Sequence, residues 1–112
     1  MKINELGNNK LHRVCFSKSK IRAVPPRSGI YLLVNYCHFI LYIGISKCLQ
    51  RRMTEHLSDC SKLQYTPLGR VYWFCFKECS ESEFHFYEKG WINQYMLTKG
   101  ELPYLNKLQA PH

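Results

Sequence analysis

Gly29-Ile30-Tyr31-Leu32-Leu33-Val34, a polar break around Asn35 and Tyr36, and Phe39-Ile40-Leu41-Tyr42-Ile43-Gly44 decide the fold. Both runs are rich in β-branched and aromatic residues and the break between them is short, so they read as a β-hairpin. Side chains alternate between the two faces of a strand. That alternation puts Tyr31 with Leu33 on one face of the first strand and Ile40 with Tyr42 on one face of the second, so the two tyrosines are expected to share a face.

Working outward, Ser46 offers a side-chain oxygen to cap a helix whose apolar residues Leu49, Met53 and Leu57 recur every four positions. Arg52 and His56 are also four apart and project together from a neighbouring stripe. The stretch from Lys62 to Gly69 reads as a loop. Val71 to Phe76 is apolar on both faces, which suits a central strand covered on both sides. Ser80 and Glu83 form a capping box that opens a second helix with Phe84, Trp91, Ile92 and Tyr95 on its apolar side. Glu88 falls inside that stripe, where a carboxylate is costly unless it meets a cation, a metal or hydrogen-bond donors. The helix is expected to fray before Gly100, and Leu102-Pro103-Tyr104-Leu105-Asn106 reads as a non-helical close. Upstream, residues 1–28 form a basic segment containing Lys10, Arg13, Lys18, Lys20, Arg22 and Arg27, with a short strand around Val14-Cys15-Phe16 and a break at Pro25-Pro26. The whole is expected to be one compact α+β domain at 29–112, a three-stranded, mainly antiparallel sheet flanked by helices, preceded by the basic segment.

Size and charge narrow the function. The chain has 112 residues, enough for one core, and its 46% hydrophobic and 21% charged composition excludes extended disorder. No apolar run approaches the ~18 residues of a membrane span, and the polar start Met1-Lys2-Ile3-Asn4-Glu5 is unlike a secretory signal, so a cytoplasmic or other intracellular location is expected. The net charge of +8 lies wholly in residues 1–56, which hold ten Lys and Arg against Glu5 and Glu55. A one-sided positive field is the usual footprint of a phosphate-bearing partner, or else a solvated basic surface. Lys18, Lys20, Arg22, Arg27, Lys47 and Arg51 are the candidate phosphate contacts. Six cysteines without a secretory signal read as thiols, and the one zinc candidate, His56 and Cys60 with Cys75 and Cys79, has looser spacing than a zinc ribbon.

Gly29-Ile30-Tyr31, ten intervening residues and Tyr42-Ile43-Gly44 resemble the namesake motif of the GIY-YIG endonuclease superfamily, with Arg52 eight and His56 twelve residues after Gly44. Glu88 with Ile92 looks like the family's metal-binding glutamate helix, and Pro103-x-Leu105-Asn106 like its closing motif. The resemblance implies a metal-dependent DNA endonuclease that leaves 5′-phosphate and 3′-hydroxyl ends. In that reading Glu88 holds one divalent ion, Mg²⁺ or Mn²⁺, and Arg52 offers its planar fork to the scissile phosphate. Tyr31 is the candidate general base, although a free tyrosine has a pKa near 10. Tyr42 positions water or phosphate, and His56 binds phosphate or relays the proton. Whether Tyr31 or His56 finally carries that proton stays open. Gly29, Gly44 and Asn106 support the site. With one site and one domain, duplex cutting would need a homodimer, sequential nicks or a targeting partner, so single-stranded or structured DNA is the expected substrate. The alternative is a catalytically inactive nucleic-acid-binding module of the same fold.

Overall fold

A computed structural model describes residues 11–59 and 66–109. Lys10, Cys60 of the zinc candidate and the loop from Lys62 onward to residue 65 lie outside them. The elements run β1 (His12–Cys15), a 3-10 turn (Lys18–Ala23), β2 (Gly29–Val34), β3 (Ile40–Ser46), α1 (Leu49–Leu57), β4 (Trp73–Glu78), a 3-10 turn (Glu81–Glu83), α2 (Phe84–Lys99) and α3 (Tyr104–Gln109).

The sheet has four strands in the order β1-β4-β2-β3, every neighbouring pair antiparallel, where the sequence pattern suggests three. The fourth comes from the basic segment: His12 pairs with Phe76 and Cys15 with Trp73. Without it β4 would expose a row of unpaired backbone groups along a hydrophobic edge. β2 and β4 are therefore central, and every residue of β2 is buried, which is why that run carries no charged side chain.

The sheet separates two apolar layers. On one side Trp91 and Tyr95 of α2 pack on Ile30, Leu32, Val34, Ile40, Ile43 and Cys75. On the other, Leu49, Met53 and Leu57 of α1, with Val24 and Leu105, pack on Tyr31, Leu33, Leu41, Phe74 and Phe76. Met53 is fully buried, so truncation to Ala should cost about 2–5 kcal/mol.

Three local expectations are corrected. Leu33 pairs with Tyr42 but Val34 with Ile40, so Leu41 is the extra residue of a β-bulge. The bulge flips the alternation, placing Ile40 on the α2 side while Tyr42 stays on the α1 side with Tyr31. Ser46 is not the helix cap: Cys48 holds that position, and the Ser46 hydroxyl accepts from the Cys48 N–H at 3.0 Å and donates to the Cys48 carbonyl at 2.8 Å. The Arg27 carbonyl accepts the Leu49 N–H at 2.8 Å instead, tying the start of α1 to the approach to β2. The segment after Pro103 is helical, because a proline's fixed φ suits the entry to a helix as well as an extended stretch. The capping box at Ser80 and Glu83 is present, and α2 ends at Gly100 in the left-handed region (φ 77°), its N–H donating to the Met96 carbonyl at 2.7 Å.

Candidate active site

Tyr31 points from the middle of β2 into the α1 layer, with its ring stacked between Phe74 (centroids 5.2 Å apart) and Tyr42 (5.9 Å). Phe74 is a neighbour that sequence reasoning passes over; its place opposite Leu33 and the period of β4 are the signals that mark it. The ring of Tyr31 also lies across Gly44, its partner in the β2–β3 register. A Cβ at Gly44 would sit 2.6 Å from the Tyr31 hydroxyl and 2.8 Å from the Tyr42 ring. A Cβ at Gly29 would run into the Lys77 carbonyl and the Leu49 side chain. Both motif glycines thus answer to close approach.

His56 faces the two phenols from α1. Its Nε2 is 2.6 Å from the Tyr31 hydroxyl, and its ring meets Tyr42 edge-on at 5.3 Å. Tyr42 stacks on Tyr31 and meets the His56 ring, so the three side chains form one cluster in which the Tyr31 hydroxyl is hydrogen-bonded to His56. Tyr42 is half-buried, while Tyr31 and His56 are 1% and 5% exposed. Burial pushes the Tyr31 phenol well above 10, with the Tyr42 charge adding to it, and burial raises Tyr42 too.

Arg52 and Glu88 act on this cluster electrostatically. The Arg52 charge pulls both phenols down and the Glu88 charge pushes both up. Arg52 Nε is 3.6 Å from Glu55 Oε1 and is buried without a hydrogen bond among the described residues. Glu88 is half-buried, and burial raises its carboxyl, with His85 opposing. Among the described residues no hydrogen bond or ion pair satisfies that carboxylate, so it suits a cation from solution. Asn106 locks the edge strand: its Nδ2 donates to the Ile43 carbonyl at 2.9 Å and its Oδ1 accepts the Ile43 N–H at 2.8 Å.

The basic residues are more dispersed. Lys18, Lys20 and Arg22 are exposed on the first 3-10 turn, and Arg51 is exposed on α1. Arg27 and Lys47 form loose exposed pairs with Glu78 and Glu81, each at 3.7 Å. Of the zinc candidate, Cys75 is a core residue whose thiol burial pushes up to about 12, Cys60 lies outside the described residues, and among the described residues no three His, Cys, Asp or Glu side chains cluster to hold an ion. No helix among the described residues is long and apolar enough to cross a membrane.

An enclosed phenol–imidazole pair, the Arg52 guanidinium and the half-buried Glu88 carboxylate make up the candidate site. The family model described as the GIY-YIG catalytic domain matches residues 27–100, about two thirds of the chain, and the chain belongs to the GIY-YIG nuclease family. No curated protein matches the sequence.

Proposed function

We propose that the protein is a metal-dependent DNA endonuclease that hydrolyses phosphodiester bonds to 5′-phosphate and 3′-hydroxyl ends and favours single-stranded or structured DNA. The observation that carries this reading is the buried 2.6 Å hydrogen bond between the Tyr31 hydroxyl and His56 Nε2, with the Tyr42 ring packed against both. Glu88 would hold one hydrated Mg²⁺ or Mn²⁺, which keeps most of its waters and needs few protein ligands. When bound, such an ion supplies positive charge for the leaving 3′ oxygen.

The protein's own groups do the rest. Arg52 lies against the scissile phosphate and stabilises charge as it builds at phosphorus. Tyr31 receives the proton of the attacking water as it passes its own to His56 Nε2, and Tyr42, the phenol nearer solvent, positions that water. No free phenolate is needed, which matters because burial disfavours one at neutral pH. Asn106 keeps the edge strand, and with it Tyr42, in place. Lys18, Lys20, Arg22, Arg27, Lys47 and Arg51 supply the sequence-independent phosphate attraction.

The test is incubation of labelled single- and double-stranded DNA with the purified protein in Mg²⁺ or EDTA, beside Glu88→Ala and Tyr31→Phe. Mg²⁺-dependent cutting that both variants abolish supports the reading. Binding without breakage across substrates and metals would instead support an inactive nucleic-acid-binding module. Duplex cutting, where it occurs, should require a second copy, sequential nicks or a partner.

A further inference from the structure

A cleft of about 650 Å³ opens at the far end of the β2–β3 hairpin and shares no residue with the Tyr31–His56 pair. Tyr36 and Tyr72 line it and meet edge to face, with centroids 5.0 Å apart at 89°. They are 69% and 43% exposed, a large aromatic surface for a small domain to leave in water. The walls are held in place: the Asn35 side-chain amide donates to the Leu68 carbonyl at 2.5 Å, its Oδ1 accepts the Phe39 N–H at 2.9 Å, and the Thr66 hydroxyl donates to the Gly69 carbonyl at 2.6 Å. The two turns that frame the cleft are thereby pinned to each other. Among the described residues no acidic side chain lines it, and the charged lining residue is the cation Arg70.

A planar, apolar body beside a negative charge suits such a cleft, and in a polymer that combination is a nucleobase on its phosphate. Sequence-tolerant single-strand binders use this pairing of aromatic faces with positive charge. We propose that the cleft takes an unpaired nucleobase of the strand being cut, with Tyr36 and Tyr72 as the stacking wall and Arg70 drawing the adjoining phosphate. This rests on the nuclease reading above and adds a second, non-catalytic contact to it. Tyr31 and Asn35 are four residues apart, about 13 Å along a strand, which spans roughly four stacked nucleotides. The cleft therefore selects strands that stay unpaired for that length beyond the scissile bond, and it gives the enzyme a preference for single-stranded or frayed DNA.

The test is anisotropy of a labelled twelve-nucleotide DNA strand and of its fully abasic counterpart, in EDTA, with the full chain and with Tyr36→Ala, Tyr72→Ala and Tyr36→Phe. The wild type should prefer the base-bearing strand by about tenfold or more. Each alanine variant should lose most of that preference while binding the abasic strand unchanged, and Tyr36→Phe should keep it. Alanine variants that bind the base-bearing strand like the wild type, or that weaken on both strands equally, would overturn the stacking site. If the wild type binds neither strand, the nuclease reading fails and takes this inference with it. If the wild type binds and cuts but the alanine variants behave identically, the inference alone fails.

Discussion

Tyr31 and Tyr36 stand five positions apart in one hairpin and have opposite fates. Tyr31 is 1% exposed, stacked on Phe74 and hydrogen-bonded through its hydroxyl to His56, so its hydroxyl is the part the fold engages. Tyr36 is 69% exposed and offers a ring face, so its value lies in its π-surface. The difference teaches that the environment selects which half of a tyrosine is used. Enclosure raises the stakes of the hydroxyl, because an unpaired polar group there is costly, whereas exposure leaves the ring open to a ligand.

Substitutions at the enclosed end should have the larger effects. Arg52→Ala should lower the single-turnover cutting rate by ~100-fold or more while the melting temperature holds, the scale of losing one charge-stabilising donor. A collapse of melting instead would make Arg52 structural and dissolve the contrast. Asn106→Ala leaves the Ile43 N–H and carbonyl without their partners and should cost about 2 kcal/mol in urea unfolding, with Tyr42 displaced.

Glu88 sharpens the comparison in another way. Burial raises its carboxyl, so the stabilising protonated form is present below the carboxylate's unfolded pKa and is lost as pH rises through the folded one. At neutral pH the ionised group therefore costs stability. Glu88→Gln should melt slightly higher than the wild type and lose cutting; Mg²⁺ should raise the wild-type melting temperature but not that of the variant. The Tyr31 and Tyr42 phenols give a matching alkaline signature. Their folded pKa values are raised, so their contribution is whole below about pH 10 and disappears as pH climbs through the folded values, and Tyr31→Phe should flatten that decline in a pH series of unfolding curves.

The smallest effect belongs to the diffuse charges. Replacing Lys18, Lys20 and Arg22 with Gln should weaken DNA binding at low salt and reduce the slope of log affinity against log salt by ~0.7–0.9 for each phosphate that is no longer neutralised. These three sit on a turn inside the folded region, so charge substitution tests them without removing β1, which a deletion would.

Much of the fold is legible in the sequence because it depends on local period and chemistry. The hairpin, the stripe of Leu49, Met53 and Leu57, the capping box at Ser80 and the stop at Gly100 all follow from residues close in sequence. Alternation also places Tyr31 and Tyr42 on one face, as they are in the structure. The same alternation puts Ile40 on the wrong face, because a bulge at Leu41 inserts one residue without any mark in the composition. The helix after Pro103 escapes for a related reason, since proline before a short apolar run permits either conformation until Leu105 finds the α1 layer.

The sequence by itself therefore determined the family motif, the main hairpin and helices, the excess of positive charge and the identity of the groups available for chemistry. Tertiary structure alone decided that β1 completes the sheet, that His56 turns inward to Tyr31, that Gly44 makes room for that ring, and that Tyr36 meets Tyr72 across a cleft. The physical reason is distance along the chain. Patterns of period two and four report which face a residue occupies, whereas contacts between residues tens of positions apart exist only once strands have chosen their partners and helices their layers.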